Sequence, residues 1–322
     1  MPALREPRRA GAAILAAAVA WLLAPAPVAA AEPVRLGVRS DAAPFAFRAP
    51  GAAGYAGYIV ELCRAIVERM GREPVMVEVA ARARFQPEAS YDVLCDPATV
   101  TVERARLGVF SPPVFVSGIS FVFSARNDAE LYRRWVEWGE DESEKNGSAS
   151  AAEAAAGLPD CAAVDAGGRA VQARVGALAA TTAADFVERV AVQGGDEVPG
   201  LGGHTCLAEV DSHDDGFDAL CDGELSYYFG DRDILAAQLT RRRAAGRECG
   251  LVLSRRFLTV EPYALFLRSD DAGFISDFMV AFYEVFGAEE GGPRELFATY
   301  FPDRRPSELV EAIIFLNAAA AR

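Results

Sequence analysis

From Val34 onward the chain alternates short apolar runs with longer stretches whose apolar residues recur at helical spacing. Val34–Arg39 has the content of a strand. After a loop rich in Pro and Gly, Ile59, Leu62, Cys63, Ile66, Val67 and Met70 fall on one helical face. Glu61, Arg64, Glu68 and Arg69 fill the other, and Gly71 supplies the stop. Val75–Val79 and Tyr91–Cys95 read as the next strands, so this stretch is a βαβ unit of a parallel sheet. Gly118–Ser124 is a further apolar strand. The alternation then lapses: Glu137–Glu144 is acidic and reads as a solvated face, and Lys145–Gly157 is of low complexity. It resumes at Val175 with a strand, a helix over Ala183–Val190 and a strand at Leu207–Val210. A short helix at Gly216–Leu220, a strand at Leu225–Phe229, a helix at Ile234–Leu239 and a strand at Pro262–Leu267 follow. Phe274, Ile275, Phe278, Met279, Phe282 and Val285 stripe a closing helix, and a last one is expected from about Pro306 to the end.

The pattern implies two α/β lobes, with residues 32–124 and 260–322 in the first and 125–259 in the second. The second includes an unusually long stretch near 134–172, whose Trp135 and Trp138 read as packing residues. A chain that crosses twice between lobes has a natural hinge, and the space between lobes is a favoured ligand site.

Composition narrows the function. The 322 residues are 52% hydrophobic, which excludes global disorder, and the net charge of −14 argues against a nucleic-acid partner. His204 and His213 are the only histidines and no CxxC pair occurs, so neither a histidine-rich metal centre nor the common zinc patterns are expected. Asp211–Gly216 begins like a calcium loop but places His213 at the third position, and Pro199–Gly203 lacks the Lys-Ser/Thr of a phosphate loop. No cofactor is implied.

At the amino terminus, Arg5, Arg8 and Arg9 precede an apolar stretch, Gly11–Leu23, and a run of small residues ending at Ala31. This is the pattern of a secretory signal peptide over residues 1–31, giving an exported, periplasmic product. In an oxidising compartment six cysteines suggest disulfides, with fifteen full pairings open. A crossover helix lies on its sheet, so Cys63 on the apolar stripe can face Cys95 on a strand; buried free thiols are the alternative.

The most informative string runs from Cys95-Asp-Pro-Ala-Thr99 through Thr101 to Arg104, with Phe110-Ser-Pro-Pro beyond. It resembles the "TxTxER…FS.P" signature of solute-binding protein family 3, the periplasmic receptors of amino-acid ABC transporters. Collinear pieces extend the resemblance: Ser40–Phe47, Gly57–Cys63, Arg84-Phe85, Thr181-Thr182, Ser212-His213, Tyr228–Asp231 and Glu261–Tyr263. It implies an α/β, type II periplasmic-binding-protein fold of two lobes, each a mostly parallel sheet with flanking helices, and a monomer that delivers its ligand to a membrane permease.

The resemblance also implies roles. Arg104 would clamp the ligand α-carboxylate with Thr99 beside it and with backbone N–H groups near Thr181 and Thr182. Asp231 would accept from the α-ammonium, and Phe45 or Phe47 would cover aliphatic atoms. Arg39, Arg84 and His213 match positions that surround the distal carboxylate in glutamate/aspartate receptors, which implies a polar or acidic amino acid. Two departures stand out: Pro97 lacks an N–H, and Ala180 replaces a glycine. Two other readings share the scaffold. One is an enzyme similar to periplasmic cyclohexadienyl dehydratases, with Asp231 or Glu261 as cleft acid; the other is a sensor or accessory protein outside transport.

Overall fold

The computed structural model describes residues 32–49, 51, 54–124, 173–193, 205–247 and 249–321. The signal-peptide reading over 1–31, the 134–172 stretch with its tryptophans, and the Pro199–Gly203 turn lie outside these residues.

The chain opens with β1 (Val34–Val38) and three short strands, β2 (Asp41–Ala42), β3 (Ala46–Arg48) and β4 (Tyr55–Ala56), which form a small antiparallel sheet. Gly57 then admits the chain to α1 (Tyr58–Arg69): its φ is 135° and a Cβ there would run into the Phe45 carbonyl. The expected apolar stripe of α1, from Ile59 to Val67, is buried.

Next come β5 (Pro74–Glu78), β6 (Val93–Thr99), the single turn α2 (Val102–Ala105) and β7 (Val109–Ser117). The second sheet takes β8 (Ile119–Ser124), β9 (Ala173–Leu178), β10 (Thr205–Val210), β11 (Tyr227–Asp231) and β12 (Leu251–Leu253). Its helices are α3 (Thr182–Gln193), α4 (His213–Asp222) and α5 (Arg232–Ala244). The chain returns through β13 (Glu261–Leu267) to the first sheet and ends in α6 (Ala272–Phe286), α7 (Pro293–Tyr300) and α8 (Glu308–Ala319).

The two five-stranded sheets repeat one plan, β5-β1-β6-β13-β7 and β10-β9-β11-β8-β12. In each, the first three strands are parallel and the last two join antiparallel. The parallel βαβ half is the one legible in the hydrophobic pattern. β8 pairs with β11 and β12, so Ile119–Ser124 belongs to the second sheet, not to the first lobe as its position before residue 124 suggested. The first crossing therefore lies at Ser117–Ile119, against the second crossing at Leu258–Glu261. Ile119 N donates to Thr259 Oγ1 at 3.0 Å and Leu258 N to Ile119 O at 2.8 Å.

Proline explains two differences from the sequence pattern. β7, over which the sequence pattern assigned no strand, contains Pro112 and Pro113; it is an edge strand, where missing donors are tolerated. β6 continues past Cys95 through Pro97, where its register with β13 shifts between the Ala264 and Phe266 pairings. The helix α7 was hidden by Gly291-Gly292-Pro293, a turn-like string in which Pro293 in fact starts the helix. Ser307 caps α8 by accepting from Val310 N, so this helix begins just after Pro306.

Cys63 of α1 bonds to Cys95 of β6 across a Cα separation of 6.1 Å, the pairing expected for a crossover helix on its sheet. A second disulfide, Cys221–Cys249, ties α4 to the segment before β12 and was not anticipated.

The first lobe's core is aromatic at its centre, where Phe45, Phe115, Tyr263, Phe297 and Phe301 meet edge-on or stacked. Ile234 of α5, a second-lobe helix, is buried in this same first-lobe cluster. Around it the lobes are joined by Arg304–Asp233 at 2.7 Å, by Gln238 Nε2 donating to Asp41 O at 3.1 Å, and by Arg82 pairing with Asp211 and Glu209. The lobes are closed on one another.

Candidate functional site

In both sheets the carboxyl ends of the parallel strands face the junction between the lobes, where an open α/β sheet places its ligand crevice. Arg39 follows β1, Thr99 ends β6, Ala180–Thr182 follow β9, His213 opens α4 after β10, and Asp231 ends β11. Strand ends thus bring together side chains from Arg39 to Asp231, far apart in the sequence.

Arg104 sits in α2, whose N-cap Thr101 accepts from Arg104 N at 3.2 Å. Its guanidinium lies over the Phe85 ring at 4.6 Å and donates to Thr99 O at 3.0 Å. Burial, aided by the charge of Arg84, lowers its pKa to about 10, so it is still protonated at neutral pH. Arg104 has no ion pair among the described residues, although Asp185, Asp231 and Asp96 all lie within its electrostatic reach. Thr99 Oγ1 faces Thr182 Oγ1 of the opposite lobe at 3.5 Å. Thr181 is occupied locally, donating to Leu178 O at 2.6 Å and capping the start of α3. Ala180 adopts φ 56°, the left-handed region that a glycine would enter without strain.

Asp231 is half-buried, with its Oδ1 shielded and making no aligned hydrogen bond although the Tyr263 hydroxyl is close by; at the N-cap of α5, its side chain does not cap that helix. Burial and then the neighbouring Glu261 charge raise its pKa to about 7. Glu261 Oε2 is buried without a partner, and the buried Tyr263 hydroxyl lies beside Asp231 and Ser117 without an aligned bond to either. His213 bonds Tyr228 OH through Nδ1 at 2.9 Å and leaves Nε2 unpartnered, and burial with the nearby Arg39 charge lowers its pKa to about 4.

The remaining two arginines are committed. Arg84, 2% exposed, bonds Asp96, which is 0% exposed, at 2.6 Å. It also donates to Ala180 O of the second lobe at 3.1 Å. Arg39 pairs with Asp41 at 2.7 Å. Asp96 and Asp41 were missed as site residues in the sequence, where they are only acidic neighbours of the quoted motifs. Asp96 Oδ1 is a further buried acceptor without a donor. Phe45, expected to cover a ligand, belongs instead to the first-lobe aromatic core, 4.8 Å from Phe115 between ring centres. Phe47 lies 6.3 Å from Tyr300. The ring that the structure places at the cluster is Phe85, under Arg104.

The perturbed groups give opposite pH slopes. Folded Asp231 keeps its proton up to about pH 7, while an unfolded aspartate releases it near 3.8, so acidification across this window favours the folded state. Folded His213 takes a proton only near pH 4, against 6.5 when unfolded, so acidification there favours unfolding. Denaturant titrations between pH 4 and 7 are expected to show Asp231→Asn losing stability relative to wild type on acidification and His213→Gln gaining it. Each difference should be on the order of a few kcal/mol over the window. Parallel curves for all three proteins would refute both assignments.

Among the described residues no group of His, Cys, Asp and Glu could hold a metal ion, and no helix is long and apolar enough to cross a membrane.

Two α/β lobes joined by paired crossings around a buried polar cluster define a type II periplasmic-binding-protein fold. The chain belongs to the bacterial extracellular solute-binding proteins, family 3, whose model matches residues 34–302. Solved structures share the fold at low identity. An ancestral arginine-binding protein bound to glutamine aligns with TM-score 0.60 and 17% identity over 84% of this chain and 98% of its own. The arginine-, lysine-, histidine-binding protein ArtJ of Geobacillus stearothermophilus aligns with TM-score 0.59 and 15% identity over 87% and 98%. The ancestral amino acid-binding protein AncCDT-1, a precursor of cyclohexadienyl dehydratase, aligns with TM-score 0.57 and 15% identity over 84% and 95%. No curated protein matches the sequence.

Proposed function

We propose that this protein, exported to the periplasm, captures a free amino acid between its lobes and delivers it to the permease of an ABC transporter, without covalent chemistry. The observation that carries the reading is the pairing of an arginine with no ion-pair partner among the described residues, Arg104 in the first lobe, with a carboxyl that also has no ion pair there and whose Oδ1 is shielded from water, Asp231 in the second. A guanidinium fork suits the α-carboxylate, with Thr99 and the N–H groups at the start of α3 beside it, and Asp231 suits the α-ammonium. Because the two partners sit on different lobes, the zwitterion favours the closed arrangement over the open one. Thr181, whose hydroxyl is spent on its own turn, contributes backbone rather than side chain.

The distal end of the cleft favours a neutral or basic side chain over an acidic one. Arg84 and Arg39 are paired with Asp96 and Asp41; Asp96 Oδ1 awaits a donor, and Arg39 Nη2, although 2.7 Å from Asp41, makes no aligned hydrogen bond. A ligand amide, hydroxyl or cation supplies that donor, whereas a second carboxylate would meet Asp96 charge to charge. The glutamine-bound and arginine-, lysine- and histidine-binding proteins of the same fold agree with this preference. A thermal-shift screen against the common amino acids is expected to give its largest rise with glutamine or a basic amino acid. At a hundredfold excess over Kd that rise is about 5 °C or more. Glutamate and aspartate are expected to give little; a larger rise with either would reverse the side-chain preference, and no rise with any amino acid would remove the binding reading itself.

One observation favours a second reading, an enzyme similar to the cyclohexadienyl dehydratases. Asp231, with its pKa near 7 beside Glu261, is the kind of cleft acid that can protonate a leaving hydroxyl. Ultraviolet detection of an aromatic product from prephenate or arogenate would select it.

A further inference from the structure

A second, partly open space adjoins the polar cluster beside the two crossings, at Ser117, Thr259 and Arg232. It has a volume of about 260 Å³, and Phe115, Phe297 and Val310 of the first lobe wall it on one side. Arg232 and Phe257 of the second lobe wall it on the other, and Thr259 of the second crossing borders it. Three large apolar side chains at its edge stand in solvent: Phe257 at 52% exposure, Val260 at 66% and Leu309 at 55%. Single exposed apolar residues are ordinary, but three gathered on the rim of one cavity form a patch of the kind that meets a ligand.

The polar groups of the cavity do not balance. Asp233 is matched by Arg304 at 2.7 Å. Arg232 has no ion pair among the described residues, although its guanidinium lies 5.2 Å from the Phe257 ring centre. Its Nε is buried without an acceptor, and Ser117, a side chain 4% exposed that also borders the space, has its hydroxyl beside that of Tyr263. The cavity thus combines apolar walls, one positive charge in excess, and a buried guanidinium N–H with nothing to receive it, which is an unfavourable state unless an acceptor arrives.

We propose that this cavity is a second ligand site, separate from the amino-acid cleft, for a small apolar monocarboxylate. The carboxylate would rest on Arg232, within reach of the Ser117 hydroxyl, and the ring or short chain would lie against Phe115, Phe297 and Val310. The volume, just under the roughly 300 Å³ at which ligand pockets usually begin, limits the apolar body to a single ring or its equivalent. Both lobes and both crossings form the walls, so an occupant is held only in the closed arrangement and favours it.

The test uses the full chain and 4-fluorobenzoate, followed by 19F line broadening, with 4-fluorotoluene as the uncharged counterpart. Saturable fluorobenzoate binding at or below about 1 mM is expected, weakened about tenfold or more by Arg232→Gln. Fluorotoluene should respond little to that substitution, and an amino acid that fills the cleft should not displace fluorobenzoate. Leu309→Trp, at an exposed helix position where folding is not at stake, should also obstruct the mouth and weaken the probe. Absence of saturable broadening at about 5 mM probe overturns the proposal. So does binding unchanged in both variants, or displacement of the probe by the cleft amino acid.

Discussion

Arg104→Ala is expected to weaken amino-acid binding by about 2–5 kcal/mol, roughly 30-fold to several thousandfold, with little change in the stability of the ligand-free protein. The asymmetry follows from what Arg104 does in the structure. Toward the fold it offers one hydrogen bond to Thr99 O and a ring contact with Phe85, with no ion pair to break. Toward a ligand it is the uncommitted cation of the cleft, since Arg84 and Arg39 are each held by a carboxylate. Without it the ligand α-carboxylate enters a closed, dehydrated space with only hydroxyl and backbone donors. Arg104→Lys keeps the charge but loses the two-pronged geometry, and should fall between wild type and alanine. Titration calorimetry measures all three, and an alanine variant that binds like wild type would remove Arg104 from the site.

The second large effect belongs to Asp96. Asp96→Ala should destabilise the protein by about 3–5 kcal/mol, because it leaves the buried Arg84 guanidinium without its counter-charge. The bond at 2.6 Å joins two side chains almost wholly shielded from water, so the loss is that of an uncompensated charge rather than of a surface ion pair. Replacing both residues with apolar ones of similar volume should recover much of the loss. Chemical denaturation reads the stability, and a second measurement reads the site. With Asp96 gone, Arg84 is free to meet a distal carboxylate, so glutamate affinity should rise relative to glutamine affinity. A variant as stable as wild type would mean that the pair does not carry the charge balance described here.

How far the sequence reaches can be judged residue by residue. The parallel halves of both sheets are legible because their strands are near-continuous apolar runs, and α1 because its stripe and its Gly71 stop are complete. The antiparallel halves are harder. β7 carries two prolines, and β8 changes lobes without any change in its composition. Within the site, Arg104, Thr99, Thr182 and Asp231 stand at strand ends that meet at the junction, and the family signature points to them. Asp41 and Asp96 escape notice because an acidic residue in a string does not reveal which buried cation it faces; Arg84 and Asp96 become partners only when β6 and the turn before it are packed together. Phe45 misled because aromatic residues near a binding motif serve cores as readily as ligands, and its neighbours in the core come from β7, β13 and the end of α7, far along the chain.

The lodging of Ile234 in the opposite half has a kinetic meaning. If the lobes part to release a ligand, as the proposed function requires, that aliphatic side chain must be pulled from its oily seat into water, at about 1.5–3 kcal/mol for a group of its size, while the Arg304–Asp233 contact beside it lets go. On the proposed binding role, this contact is a catch that would slow release of the cargo without touching it.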